Sequence, residues 1–142
     1  MLVVCFRTLN IEKDWAWVKE RASPILCEDT KGIVAEDSCG IVGAVIFDQW
    51  SETSCQIHIA IDKVSSLRHG LLEHSADYVF NTCGRIMMIG LTPADNEKSV
   101  KFNEHIGLRE IGRITDGYKI GVDFIVTRID RDTCRWLKEE AA

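Results

Sequence analysis

The chain has 142 residues, 46% of them hydrophobic, with 17 Lys and Arg against 22 Asp and Glu, giving a formal charge of −5. That is enough for one domain with a packed core over residues 1–142. The acidic balance argues against a broad nucleic-acid-binding face, which draws on Lys and Arg. No run approaches the ~18 apolar residues of a membrane span. The opening Met-Leu-Val-Val-Cys-Phe-Arg meets charge too early for a secretory signal. Cysteines at 5, 27, 39, 55, 83 and 134 form no C-x-x-C pair and have no ligand spacing with His58, His69, His74 or His105. They read as reduced thiols of a cytoplasmic protein with no metal site.

Leu2 to Thr8, apolar and β-branched, predicts a first strand. Ile11, Trp15, Val18 and Ala22 then recur with helical period, with Asn10 as N-cap and Pro24 at the exit. Trp17 lies off that stripe and is expected at a substrate or partner surface. Lys31–Glu36 and Ile41–Gln49 read as two strands around the turn Asp37-Ser38-Cys39-Gly40. In the fourth strand Cys55, Ile57, Ile59 and Ile61 alternate with Gln56, His58, Ala60 and Asp62, so the two sets take opposite faces. Leu67, Leu71, Leu72, Ala76, Val79, Phe80 and Cys83 predict one long amphipathic helix, and Ile86–Leu91 a strand covered on both faces. After a turn at Thr92-Pro93-Ala94, Asn96 begins a short helix that Gly107 ends in a left-handed C-cap. Strands near Leu108–Thr115 and Val122–Ile129 flank a loop with Asp116-Gly117-Tyr118, and Asp132–Glu140 suggests a last short helix.

The order is thus β-α-β-β-β-α-β-α-β-β. The run from Asn96 through Ser99 to Gly107, Leu108 and Gly112, placed after a central strand, resembles the C-terminal half of the GNAT superfamily of acyl-CoA-dependent N-acyltransferases. The likeness extends from about Cys55 to Ile129, and by element order over the rest. It implies an α+β, α/β/α-layered fold: a mixed, mostly antiparallel sheet of about seven strands with three to four helices. Ser23 to Thr30 leaves little room for the second helix that many members carry before the second strand.

Acyl transfer from a thioester to an amine needs a held pyrophosphate, a polarised carbonyl, a neutral amine and a protonated leaving thiolate. In the family a Q/R-x-x-G-x-G/A loop opens the helix after the fourth strand and offers backbone N–H groups to phosphate. The matching segment is Ser65-Ser66-Leu67-Arg68-His69-Gly70, in which only Gly70 keeps the pattern and Arg68 stands for a glycine. The resemblance therefore implies acetyl-CoA contacts from Ile61, Asp62 and Lys63, then Arg68, His69, Gly70 and Leu71. Asn96, Ser99 and Phe102 would face the pantetheine arm. His58, on the strand face away from the isoleucines, is the candidate base that takes a proton from an ammonium substrate, with Glu36 and Asp48 as alternatives. The family's tyrosine acid falls at Asn103, so no general acid is identified.

The function implied is an acetyl-CoA-dependent N-acetyltransferase acting on a primary amine of a small molecule or protein. The alternative is a non-catalytic GNAT-like binding or structural module of the kind carried by bacteriophages, some virion-associated, with a degenerate cofactor loop. Exposed tryptophans and the final strands would be the contact of a homodimer.

Overall fold

Seven strands form one sheet in the order β1-β2-β3-β4-β5-β7-β6. The computed structural model describes residues 3–22 and 24–137. Along the chain these are β1 (Cys5–Thr8), α1 (Ile11–Arg21), β2 (Lys31–Asp37), β3 (Gly40–Asp48), β4 (Ser54–Ile61), α2 (Ser65–Arg68), α3 (Leu71–Ala76), a π-helical segment (Asp77–Thr82), β5 (Met87–Pro93), α4 (Glu97–Ile106), β6 (Arg109–Lys119) and β7 (Val122–Asp130). Every pairing is antiparallel except β4 with β5, whose parallel alignment requires the helical crossover between them. This is the α+β architecture the sequence implies. No helix among the described residues is long and apolar enough to cross a membrane.

Alternation along β3 divides the core between the two faces of the sheet. Val45 and Phe47 join Cys55, Ile57 and Met88 under Leu71, Ala76, Val79 and Phe80, in a cluster that also takes in Ile106 and Trp136. Ala44 and Ile46 turn the other way, to Val34 and Val18 of α1, with Trp15 and Trp17 packed on the edge. Trp17 is therefore half-buried packing, with the Arg21 guanidinium 4.1 Å above its ring, and not a free surface residue.

The N-terminus of α1 holds a polar assembly that hydrophobic periodicity cannot reveal. Asn10 caps the helix by accepting from the Lys13 N–H at 3.0 Å, while Asp14 accepts from the Asn10 N–H at 2.8 Å. Asp14 is completely buried, and Arg7 donates to its two oxygens at 2.7 and 2.8 Å while also reaching Glu36 at 2.9 Å. The Arg7 hydrogen bonds hold the Asp14 carboxyl below its ordinary value, outweighing the burial that acts the other way.

Four expectations change. The long helix over Leu67–Cys83 is broken, because Gly70 takes φ 108° between α2 and α3 and the last turns widen into the π-helical segment. β5 continues through Pro93, paired with Phe124 of β7, beyond the turn read at Thr92. β6 continues to Lys119 across an irregularity at Asp116, whose φ is 54° and whose carboxylate accepts from the Gly121 N–H at 2.8 Å. Of the tail helix, only a 3-10 turn at Arg131–Thr133 forms, and residues 138–140 lie outside the described residues, as does Leu2. Trp136 then folds back, its indole N–H donating to the Ile106 carbonyl at 2.7 Å.

Candidate functional site

β4 and β5 pair at only three positions, Ser54 with Met87, Cys55 with Met88 and Gln56 with Ile89. Beyond them the strands part. The backbone groups of Ile57 to Ile61 that point away from β3 therefore have no sheet partner and face the gap. A cavity of about 170 Å³ fills this wedge. Its walls are Ile57, His58 and Ile59 of β4, Gly90 to Pro93 of β5, and Asn96, Ser99, Phe102 and Asn103 of α4, with Arg21 and Ala22 at the end of α1.

α4 is positioned from both ends. Asn96 Oδ1 accepts from the Ser99 N–H at 3.2 Å. At the other end Gly107, at φ 103°, sends its N–H to Asn103 and Glu104, and the Leu108 N–H also reaches Asn103. The Asn103 side chain donates to Thr92 Oγ1 at 2.9 Å and ties the helix to β5. Asn103, where the resemblance implied a tyrosine acid, is thus a structural clamp.

His58 lies opposite Ile46 in the β3–β4 register, and Asp48 opposite Gln56, so His58 and Asp48 are diagonal neighbours on one face. His58 Nε2 stands 3.0 Å from each Asp48 oxygen, and Asp48 is buried. Two residues that the sequence offers as alternative bases are thus one dyad. The hairpin register, counted back from the turn between β3 and β4, carried the signal for it.

The residues expected to hold the nucleotide end are elsewhere. None of residues 60–71 lines the cavity. Asp62 receives the Arg21 Nε–H at 2.8 Å, a pairing that raises the arginine's pKa. Lys63 donates to Asp37 at 3.1 Å; the Cys39 N–H, and then this lysine, hold the Asp37 carboxyl low. Ile61 is half-buried against the core, Leu71 is fully buried, and Arg68 and His69 are exposed. Residues 65–68 form a helical turn, and the N–H groups of Ser66, Leu67, Arg68, His69 and Gly70 all donate to carbonyls of Lys63 to Leu67. Ser66 is buried with its hydroxyl donated to the Lys63 carbonyl at 2.8 Å, and it packs on Gly43, where a Cβ would come within 2.8 Å of it. The wedge therefore fits the acyl-pantetheine end of a coenzyme A thioester, with amide and hydroxyl side chains along a narrow cleft. The loop fits the diphosphate poorly, because the amides of residues 66–70 are already bonded.

No family sequence profile and no curated protein matches the sequence. Solved structures do match in shape. A spermidine/spermine N-acetyltransferase SpeG from Vibrio cholerae superposes with TM-score 0.72 at 16% identity, covering 91% of this chain and 93% of that one. A GNAT-family acetyltransferase from Desulfovibrio desulfuricans superposes with TM-score 0.72 at 15% identity, covering 91% and 99%. The fold is that of the GNAT acetyltransferases.

Proposed function

We propose that this chain is an acetyl-thioester-dependent N-acetyltransferase whose acceptor is a primary amine, with the divergence of β4 from β5 as the observation that carries the reading. An acyl group inside the wedge lies beside unpaired backbone groups of β4, which are the donors a developing oxyanion requires. Asn96, Ser99 and Phe102 flank the thiol arm. His58 removes the proton that keeps the amine cationic: Nε2 is held by Asp48, Nδ1 is the basic nitrogen, and the buried carboxylate steadies the imidazolium that results. The net charge of −5 favours a cationic acceptor, and the spermidine acetyltransferases that share the fold take one. Six free thiols suit a cytoplasmic location.

The test is the pH–rate profile of acetylation with a panel of primary amines. General-base contributions of this kind are worth about 10²–10⁴ in rate. His58→Ala is expected to lose that factor and to flatten the acidic limb, since the base acts only when deprotonated. An acidic limb unchanged in His58→Ala removes His58 from the mechanism. The closed loop and the clamp at Asn103 favour a second reading, a non-catalytic module. Coenzyme A and acetyl-pantetheine separate the two, because a ligand of the folded state raises the melting temperature in proportion to RT ln(1+[L]/Kd), and the module would show no shift with either.

A further inference from the structure

Five backbone amides of the loop after β4 are closed to ligands by its own hydrogen bonds. Ser66 N–H donates to Lys63 O at 3.1 Å, Leu67 and Arg68 to Val64 O at 3.0 and 3.1 Å, His69 to Ser65 O at 3.1 Å, and Gly70 to Leu67 O at 3.2 Å. A diphosphate would have to break these bonds to reach the amides of residues 66–70. Side chains there are committed as well: Ser66 Oγ to the Lys63 carbonyl at 2.8 Å, Lys63 to Asp37 at 3.1 Å, and Asp62 to Arg21 at 2.8 Å. The turn is also pinned from below, since Asp62 and Lys63 both donate their backbone N–H to the Val42 carbonyl. The remaining cation, Arg68, is exposed, and charge contacts at exposed positions are worth little. The cavity itself stops short of this segment and is walled by β4, β5 and α4.

We propose that the donor site reads the acyl-pantetheine arm alone and takes no binding energy from a nucleotide diphosphate, so that S-acetylpantetheine serves it as well as acetyl-CoA does. This rests on the acyltransferase reading above. In the step itself the neutral amine attacks the thioester carbonyl carbon, a C–N bond forms and the C–S bond breaks. Of the two protons the ammonium gives up, one passes through His58 to solvent and the other ends on the departing thiol. No part of that balance involves the nucleotide.

Calorimetric titration with coenzyme A, pantetheine and adenosine 3′,5′-bisphosphate tests it, beside turnover with acetyl-CoA and S-acetylpantetheine. Coenzyme A and pantetheine are expected to bind within about fivefold of each other, the nucleotide half not at all, and kcat/KM for the two donors to agree within the same factor. Arg68→Ala should leave coenzyme A affinity within about fivefold of the parent. Coenzyme A binding more than about tenfold tighter than pantetheine, binding of the nucleotide half by itself, or a larger loss in Arg68→Ala overturns the proposal. Binding of neither coenzyme A nor pantetheine sinks the acyltransferase reading and this inference with it.

Discussion

Two neighbouring strands, β4 and β5, each run into a helix, and their two exits have opposite characters. After β5, a single side chain, Asn96 Oδ1, satisfies the Ser99 N–H, and both residues stand on the cavity wall. After β4, five consecutive N–H groups close on carbonyls within the same short turn. A helix start attracts an anion only through donors left over from its own hydrogen bonding. Leu67 and Arg68 are good helix formers, so where glycines would hold the backbone open, these residues let it wind shut. One arm of the wedge keeps the means to hold a ligand and the other has used them internally.

The start of α1 goes further, with the polar groups of Arg7, Asn10 and Asp14 bonded to one another, to the Lys13 N–H and to Glu36. Asp14→Ala leaves the Arg7 cation without its buried partner and the Asn10 N–H without its acceptor. Breaking such pairs costs about 3–5 kcal/mol, and the lower end is expected because Arg7 is a quarter exposed and retains Glu36. Urea midpoints of the two proteins check this. Because the Asp14 pKa is depressed in the fold, its contribution is complete above the ordinary value of 3.8 and disappears as pH falls through the lowered one. The acid unfolding curve of Asp14→Asn should lack that component.

Gly43→Ala attacks the closed loop directly. The added Cβ would stand 2.8 Å from Ser66 Oγ and 3.0 Å from Leu71 Cδ2. Overpacking of this sort costs about 1–3 kcal/mol, and hydrogen exchange at residues 66–70 should accelerate as the turn is pushed off β3. Unchanged protection would mean that the turn is not pinned there. The smallest effect belongs to the open side. Asn96→Ala should lose about 1 kcal/mol of stability with the cap and weaken pantetheine binding, whereas Asn96→Asp keeps the cap. If both variants bind alike, the side chain serves the helix only.

What the sequence made legible follows from periodicity and capping. The alternation in β4, the Asn96 and Gly107 boundaries of α4 and the order of the elements all come from short-range rules, and the structure has them. The site was legible only in part. His58, Asn96, Ser99 and Phe102 line the cavity because each sits on an element whose orientation its own pattern fixes. Residues 61–71 do not line it, since whether their amides are free depends on a turn conformation that no hydrophobic pattern encodes. Asp14 escaped notice for a related reason: a carboxylate on an apolar helix face looks like surface until its partner, Arg7, is known to cross from β1. The break at Gly70 was visible as a glycine, but the helical pattern of leucines around it concealed the left-handed turn.

The seam between β4 and β5 has one more consequence. Three residue pairs, with Cys55 and Met88 fully buried at their centre, and two hydrogen bonds to the Thr53 carbonyl join the first four strands of the sheet to the last three. Strands joined at one end behave as a pair of callipers, in which a small rotation at the pivot grows with distance toward the tips at Ile61 and Pro93. The packing around Met88, which does not itself line the cavity, therefore governs how wide the jaws stand.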